Sequence, residues 1–153
     1  MLICDGVRIE YPADGSARQF LMSEECWLGR VDEADYRRIH WHPVPAHPGP
    51  ARYRMAATDD NWGTIVFSGG TDNPYNYDGM GYNGVPAQPL TGIFRFNLES
   101  RSWESGWSLS AGSMDHRGLL YHGSWFYQLG GMLVDQQVTG RVIRFRLLEP
   151  NTQ

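Results

Sequence analysis

The chain has 153 residues, a net charge of −4 and a hydrophobic fraction of 41%, which suits one folded domain with a real core and argues against disorder. All thirteen basic residues are arginines, scattered along the chain, so no basic stripe forms and no nucleic-acid partner is expected. No apolar run approaches the ~20 residues of a membrane span, so no membrane partner is expected. The opening MLICDGVRIEYP has neither a basic stretch nor a long apolar one, so it does not read as a secretion signal. Eight Tyr, six Phe and six Trp accompany eighteen Gly and nine Pro, and aromatic runs punctuated by Gly and Pro predict an all-β chain with many turns.

Taken in order, the predicted strands repeat. MLICDG (Met1–Gly6), TIVFSGG (Thr64–Gly70) and WFYQLGG (Trp125–Gly131) are apolar runs closed by glycine, and their last glycines are 64 and 61 residues apart. Trp41 lies 35 residues after Gly6, and Trp103 lies 33 after Gly70. ARYRMAAT (Ala51–Thr58) and DHRGLLYH (Asp115–His122) precede the second and third glycine runs, with Arg54 and Arg117 aligned. TGIFRFNLE (Thr91–Glu99) and TGRVIRFRLLE (Thr139–Glu149) follow them, each with an Arg-Phe pair, and CWLGRV (Cys26–Val31) is their counterpart in the first unit. The unit is a four-stranded antiparallel meander: a, then b ending in Gly-Gly, then c, then d carrying the Trp.

These marks resemble the kelch motif. DNPYNYDGMGYNG, followed later by MDHRGL, resembles bacterial kelch proteins of the galactose-oxidase-like kind. The resemblance implies a β-propeller portion of about three blades. Residues 1–45 form blade one without its first strand, in which Asp5-Gly6 replaces the usual Gly-Gly. Residues 51–110 form a complete blade two, and residues 114–149 form blade three without its last strand, with Thr152 where a Trp belongs. Ten short strands are expected. Since propellers close with four to eight blades, the expected partners include the remainder of a ring or a second copy of the chain.

The longest connection, Thr71–Leu90, follows strand b of blade two, on the face where propellers place their sites. Tyr75, Tyr77 and Tyr82 could stack on a sugar or a partner side chain, while Asp72, Asn73, Asn76 and Asp78 offer hydrogen-bonding groups. Two readings stand: a ligand-binding rim, or a loop that packs its own tyrosines and spends its Asn and Asp on turns. MDHRG leads into strand a of blade three, so Asp115, His116 and Arg117 could reach the channel mouth and serve an anionic ligand or proton transfer.

Other chemistry finds little support. Asp72, Asn76 and Asp78 are oxygen ligands, but Pro74 breaks an EF-hand spacing. His40, His42 and His47 are read as solvated or edge-packed, and Cys4 and Cys26 as two free buried thiols. Ser68 lacks the Gly-x-Ser-x-Gly elbow, and the copper-tyrosine set of galactose oxidase has no counterpart here. No catalytic residue, metal or cofactor is assigned. The expected function is a binding module for a protein or carbohydrate ligand; the alternative is part of a carbohydrate-active enzyme of oxidase, epimerase or lyase type.

Overall fold

A computed structural model describes residues 1–148, and Thr152 lies outside the described residues. The described chain is all β: twelve strands in four antiparallel sheets, with a single 3-10 turn at Val134–Gln136 and no α-helix. The first sheet holds β1 (Leu2–Cys4), β4 (Cys26–Val31) and β5 (Ile39–Val44) in that order. The second is a meander of β6 (Ala56–Asp59), β7 (Thr64–Ser68), β8 (Gly92–Asn97) and β9 (Ser102–Ser108). The third holds β10 (Leu119–His122), β11 (Trp125–Leu129) and β12 (Val142–Phe145). Two further strands raise the number from the ten expected to twelve: β2 (Val7–Glu10) and β3 (Gln19–Met22) pair as a hairpin within the connection from β1 to β4. Its signal was Asp14-Gly15 between two strand-like runs.

The glycine pairs mark where successive sheets meet. Gly69 and Gly70 have φ +72° and +82°, and Gly130 and Gly131 have +62° and +106°, a region that costs glycine nothing. A side chain at Gly69 would lie 2.3 Å from the Ser113 carbonyl, and one at Gly131 would lie 2.5 Å from the His116 ring. In the first sheet, Asp5 and Gly6 adopt the same left-handed pair, at +59° and +115°. Asp tolerates this conformation, and its carboxylate is used: Asp5 Oδ2 accepts the Arg52 N–H at 2.6 Å and faces His47 Nε2 at 2.5 Å.

His47 is therefore not solvated. It is buried, with Nδ1 2.9 Å from the Pro48 carbonyl and its ring stacked on Phe94. The cysteines also differ from expectation. Cys4 and Cys26 are direct cross-strand partners in the β1–β4 ladder and form a disulfide; spacing along the chain could not show that the ladder sets them face to face.

The second and third sheets share a core of Ala56, Val66 and Ile93 against Leu119 and Phe126, flanked by Trp107, Tyr121 and Phe145. Trp103 contacts Phe67 and Phe96, meets His47 edge-on, and donates from Nε1 to the Pro45 carbonyl at 2.6 Å. It thus ties the second sheet to the exit of the first. Trp41 occupies the corresponding outer strand and lies over Gly29, where a Cβ would sit 2.7 Å from its ring. Because Trp103 is only partly buried, Trp103→Ala is expected to cost about 3 kcal/mol, at the lower end of aromatic truncations. Urea denaturation checks it, and an unchanged midpoint would remove Trp103 from the junction.

Candidate functional site

The connection between β7 and β8 is a folded structure. Isolated bridges join Tyr75 to Gly81 and Met80 to Pro86, and Leu90 returns its N–H to the Gly70 carbonyl at 2.8 Å. Most of its polar side chains hold turns. Asn76 Oδ1 accepts from the Asp78 N–H, Asp78 Oδ1 from the Met80 N–H, and Asn83 Oδ1 from the Val85 N–H. Asn73 donates from Nδ2 to the Val85 carbonyl at 3.0 Å. Asp72 differs: it is exposed, and no hydrogen bond or ion pair engages its carboxylate among the described residues.

The three tyrosines have separate fates. Tyr75 is fully buried in a small core with Ala87, Met114 and Met132. Tyr77 is 87% exposed. Tyr82 stacks flat on Phe20 of the β2–β3 hairpin, with ring centroids 3.6 Å apart. That stack joins the connections that follow β1 and β7. On the other side, Gln136 Nε2, in the connection after β11, donates to the Ala87 carbonyl at 3.2 Å. Three successive connections therefore touch in series.

Beneath them lies a charged cluster. Arg54 Nη1 donates to Asp115 Oδ1 at 2.7 Å, and Arg117 Nη1 reaches the same oxygen at 3.1 Å. The Arg54 guanidinium lies over the rings of Tyr53 and Tyr75 at 4.8 and 4.6 Å. Burial, with the Asp115 charge nearby, pushes the Tyr75 phenol up to about 12 against the pull of Arg54, so it stays protonated, and its hydroxyl has no partner among the described residues. Two guanidiniums on one carboxylate leave one positive charge in excess. The sequence alignment set Arg54 opposite Arg117, but the backbone sets it opposite Asp115: each follows a bridge, Tyr53–Thr71 or Met114–Met132, and each has positive φ.

Of Asp115, His116 and Arg117, the structure brings only the first and the last together. Asp115 and Arg117 pair, while His116 is buried and belongs to another network. Ser68 Oγ donates to Gln128 Oε1 at 2.9 Å, and Gln128 Nε2 donates to His116 Nε2 at 2.8 Å. This places the imidazole proton on Nδ1. His40 and His42 are exposed on β5, where His40 pairs with Asp32. Among the described residues, no group of three His, Cys, Asp or Glu side chains could hold a metal.

The last element of the site is a cleft of about 500 Å³ between the hairpin and the 71–90 connection, lined by Arg18, Phe20, Asp72, Asn73 and Tyr82. Phe20 and Arg18 were not anticipated, because their role depends on a hairpin that was not assigned.

No family model and no curated protein matches the chain. Solved structures do. YjhT, a kelch-like β-propeller protein, superposes with a TM-score of 0.65 at 13% identity, over 84% of this chain and 37% of that one. A chain from the cryo-EM structure of RAG in complex with one melted RSS and one unmelted RSS gives 0.59 at 17% identity, over 92% and 46%. The fold is β-propeller-like. The chain spans less than half the length of either structure it matches.

The His116 network carries a pH dependence. Burial pulls the imidazole below its ordinary value, with the Ser113 carbonyl and Asp115 acting in the opposite sense. A depressed folded pKa means that the unfolded chain takes up the proton first. The stability of the neutral network is thus complete above about pH 6.5, the ordinary histidine value, and is lost as pH falls below it. His116→Gln is expected to flatten the change in unfolding free energy between pH 7.5 and 5, measured by urea denaturation. An equal slope in both proteins would take His116 out of the acid response.

Proposed function

We propose that the chain is part of a kelch-type β-propeller, its three larger sheets being successive blades, and that it acts as a binding module whose loop face receives a protein or carbohydrate ligand. One observation carries this reading: the connections after β1, β7 and β11 touch in series through Phe20–Tyr82 and Gln136–Ala87, over the Arg54–Asp115–Arg117 cluster. A continuous wall of loops on a β scaffold, with Tyr77 and Arg117 exposed on it, suits recognition.

The alternative, part of a carbohydrate-active enzyme with its site at the channel mouth, would draw on the same cluster. Asp115 is held between two arginines, and His116 is committed to Gln128. Both arrangements favour binding over proton transfer.

The same reading extends to assembly. Pairing register puts Ile3, Trp27, Val31, Ile39 and Trp41 on one face of the first sheet, each between 37% and 51% exposed. The third sheet exposes Leu120, Leu129 and Val142 on the face turned from its core. Each resembles the covered faces of the middle sheet, which supports the remainder of a ring or a second copy as the covering partner.

Light scattering is expected to find the isolated chain associated, and a sharply melting 17.4 kDa monomer would overturn the assembly reading. For binding, arrays of glycans and of acidic and basic peptides are probed with the parent and with Tyr77→Ala/Arg117→Ala. The variant should melt like the parent and lose about tenfold or more in affinity for at least one probe class, equivalent to ~1.4 kcal/mol or more. Equal binding to every probe would overturn the loop-face reading.

A further inference from the structure

We propose that the cleft between the β2–β3 hairpin and the 71–90 connection is a sugar subsite that takes a neutral pyranose ring. This rests on the loop-face reading and names a ligand class for one part of that face. The cleft, at about 500 Å³, falls within the ~300–1,000 Å³ of small-molecule sites, which is the right scale for one or two sugar rings and too small for a folded partner.

Its chemistry is amphipathic in the way a sugar requires. Tyr82 uses one face against Phe20 and stays 45% exposed, so an apolar surface is available to the C–H face of a pyranose. Asp72 supplies the polar side. The neighbouring Asn73, Asn76, Asp78 and Asn83 are all engaged in hydrogen bonds of the loop itself. The carboxylate of Asp72 alone is uncommitted among the described residues, and a carboxylate accepts from two adjacent hydroxyls with charge-assisted strength. Arg18 borders the same cleft, with its guanidinium 5.2 Å from the Phe20 ring centre and no ion pair among the described residues.

Arg18 and Asp72 carry one charge each along the cleft, and the buried Arg52, which also acts on Asp72, is offset first by Asp5, so the field favours neither an anion nor a cation. A neutral polyol that accepts from Arg18 and donates to Asp72 fits both. The Arg54–Asp115–Arg117 cluster has the opposite character, with its excess positive charge, and lies outside the residues that line this cleft.

The test titrates the chain with cellotetraose and with a β-1,4-galactotetraose, by calorimetry and by saturation-transfer NMR. At least one should bind with the transferred signal on ring protons. Asp72→Asn should weaken it tenfold or more and Tyr82→Ala twentyfold or more, while Tyr82→Phe should stay within threefold and His42→Ala, at an exposed β5 residue that does not line the cleft, should leave it unchanged. The Asp72 carboxylate accepts no hydrogen bond among the described residues and acts on Arg52 only at longer range, so its substitution by the near-isosteric Asn separates ligand contact from stability even where Tyr82→Ala loosens the hairpin. Absence of binding by both oligosaccharides, or binding that either Asp72→Asn or Tyr82→Ala leaves unmoved, overturns the subsite. If neutral sugars fail while a probe dependent on Tyr77 and Arg117 still binds, the subsite falls and the loop-face reading stands. If every probe fails, both fall.

Discussion

The close passage of one sheet's entry strip beside the turn of its neighbours governs this structure. Ser113–His116 runs between the second and third sheets and is bonded to both: Gly70 donates to the Ser113 carbonyl, Met114 and Met132 exchange two bonds, and the His116 N–H reaches the Arg54 carbonyl. A backbone strip can be shared this way only if the turn beside it lacks side-chain bulk and adopts left-handed angles. Gly69–Gly70 and Gly130–Gly131 meet both needs, since any Cβ there would fall within 3.0 Å of a neighbouring atom. The glycine pairs are therefore the condition for stacking sheets, and they let Gly70, Ser113, Met114, Met132 and His116 pair backbone groups at the joint.

The joint also decides where the exposed groups of the connections can be. The chain leaves each left-handed pair on one side of the sheets, so the connections that follow become neighbours. Their contacts are local and chemically varied: an aromatic stack, an amide on a carbonyl, and an arginine from one strip on an aspartate from the next. Arg54 and Asp115 hold matching places in successive strips, and they bond each other across the boundary. The 71–90 connection can be long because Tyr75, Ala87, Met114 and Met132 give it an apolar base, and its own Asn and Asp side chains replace the backbone partners that a sheet would have supplied.

What could be read from the sequence follows from this. Gly-Gly and Trp recur because stacking demands them, so the order of strands within the three larger sheets was visible as spacing. The hairpin was hidden because it occupies, in one unit only, the place that the 71–90 connection fills in the next, and so leaves the spacing of the glycine and Trp marks almost unchanged. The disulfide depends on register, which spacing does not fix. The loop's polar residues left two readings open, and the structure divides them by residue: Asn73, Asn76 and Asp78 are engaged in the loop's own bonds, while Asp72 and Tyr77 are presented to solvent. Arg54 was aligned with Arg117 because like residues attract alignment, although backbone conformation sets it with Asp115.

Departures from the repeat are thus more informative about chemistry than its matches. Asp5 stands where the other units have glycine, and the reason is electrostatic. It keeps the left-handed backbone while its carboxylate receives the Arg52 N–H and faces His47. Burying these groups is costly unless each is matched. Arg52 Nη1 donates to the Gly69 and Gly92 carbonyls and its guanidinium lies over Phe94, while Arg52 Nε and Asp5 Oδ1 have no hydrogen-bond partner among the described residues. Glycine at position 5 would make the sequence more regular while leaving the buried His47 and Arg52 backbone without their common acceptor. The first junction is consequently tied to the Asp5 carboxylate, whereas the second combines backbone bonds with the Arg54–Asp115 pair and the Ser68–Gln128–His116 network. A repeat fold of this kind tolerates such exchanges because its requirement at the joint is geometric, and any residue that satisfies the geometry can bring new chemistry with it.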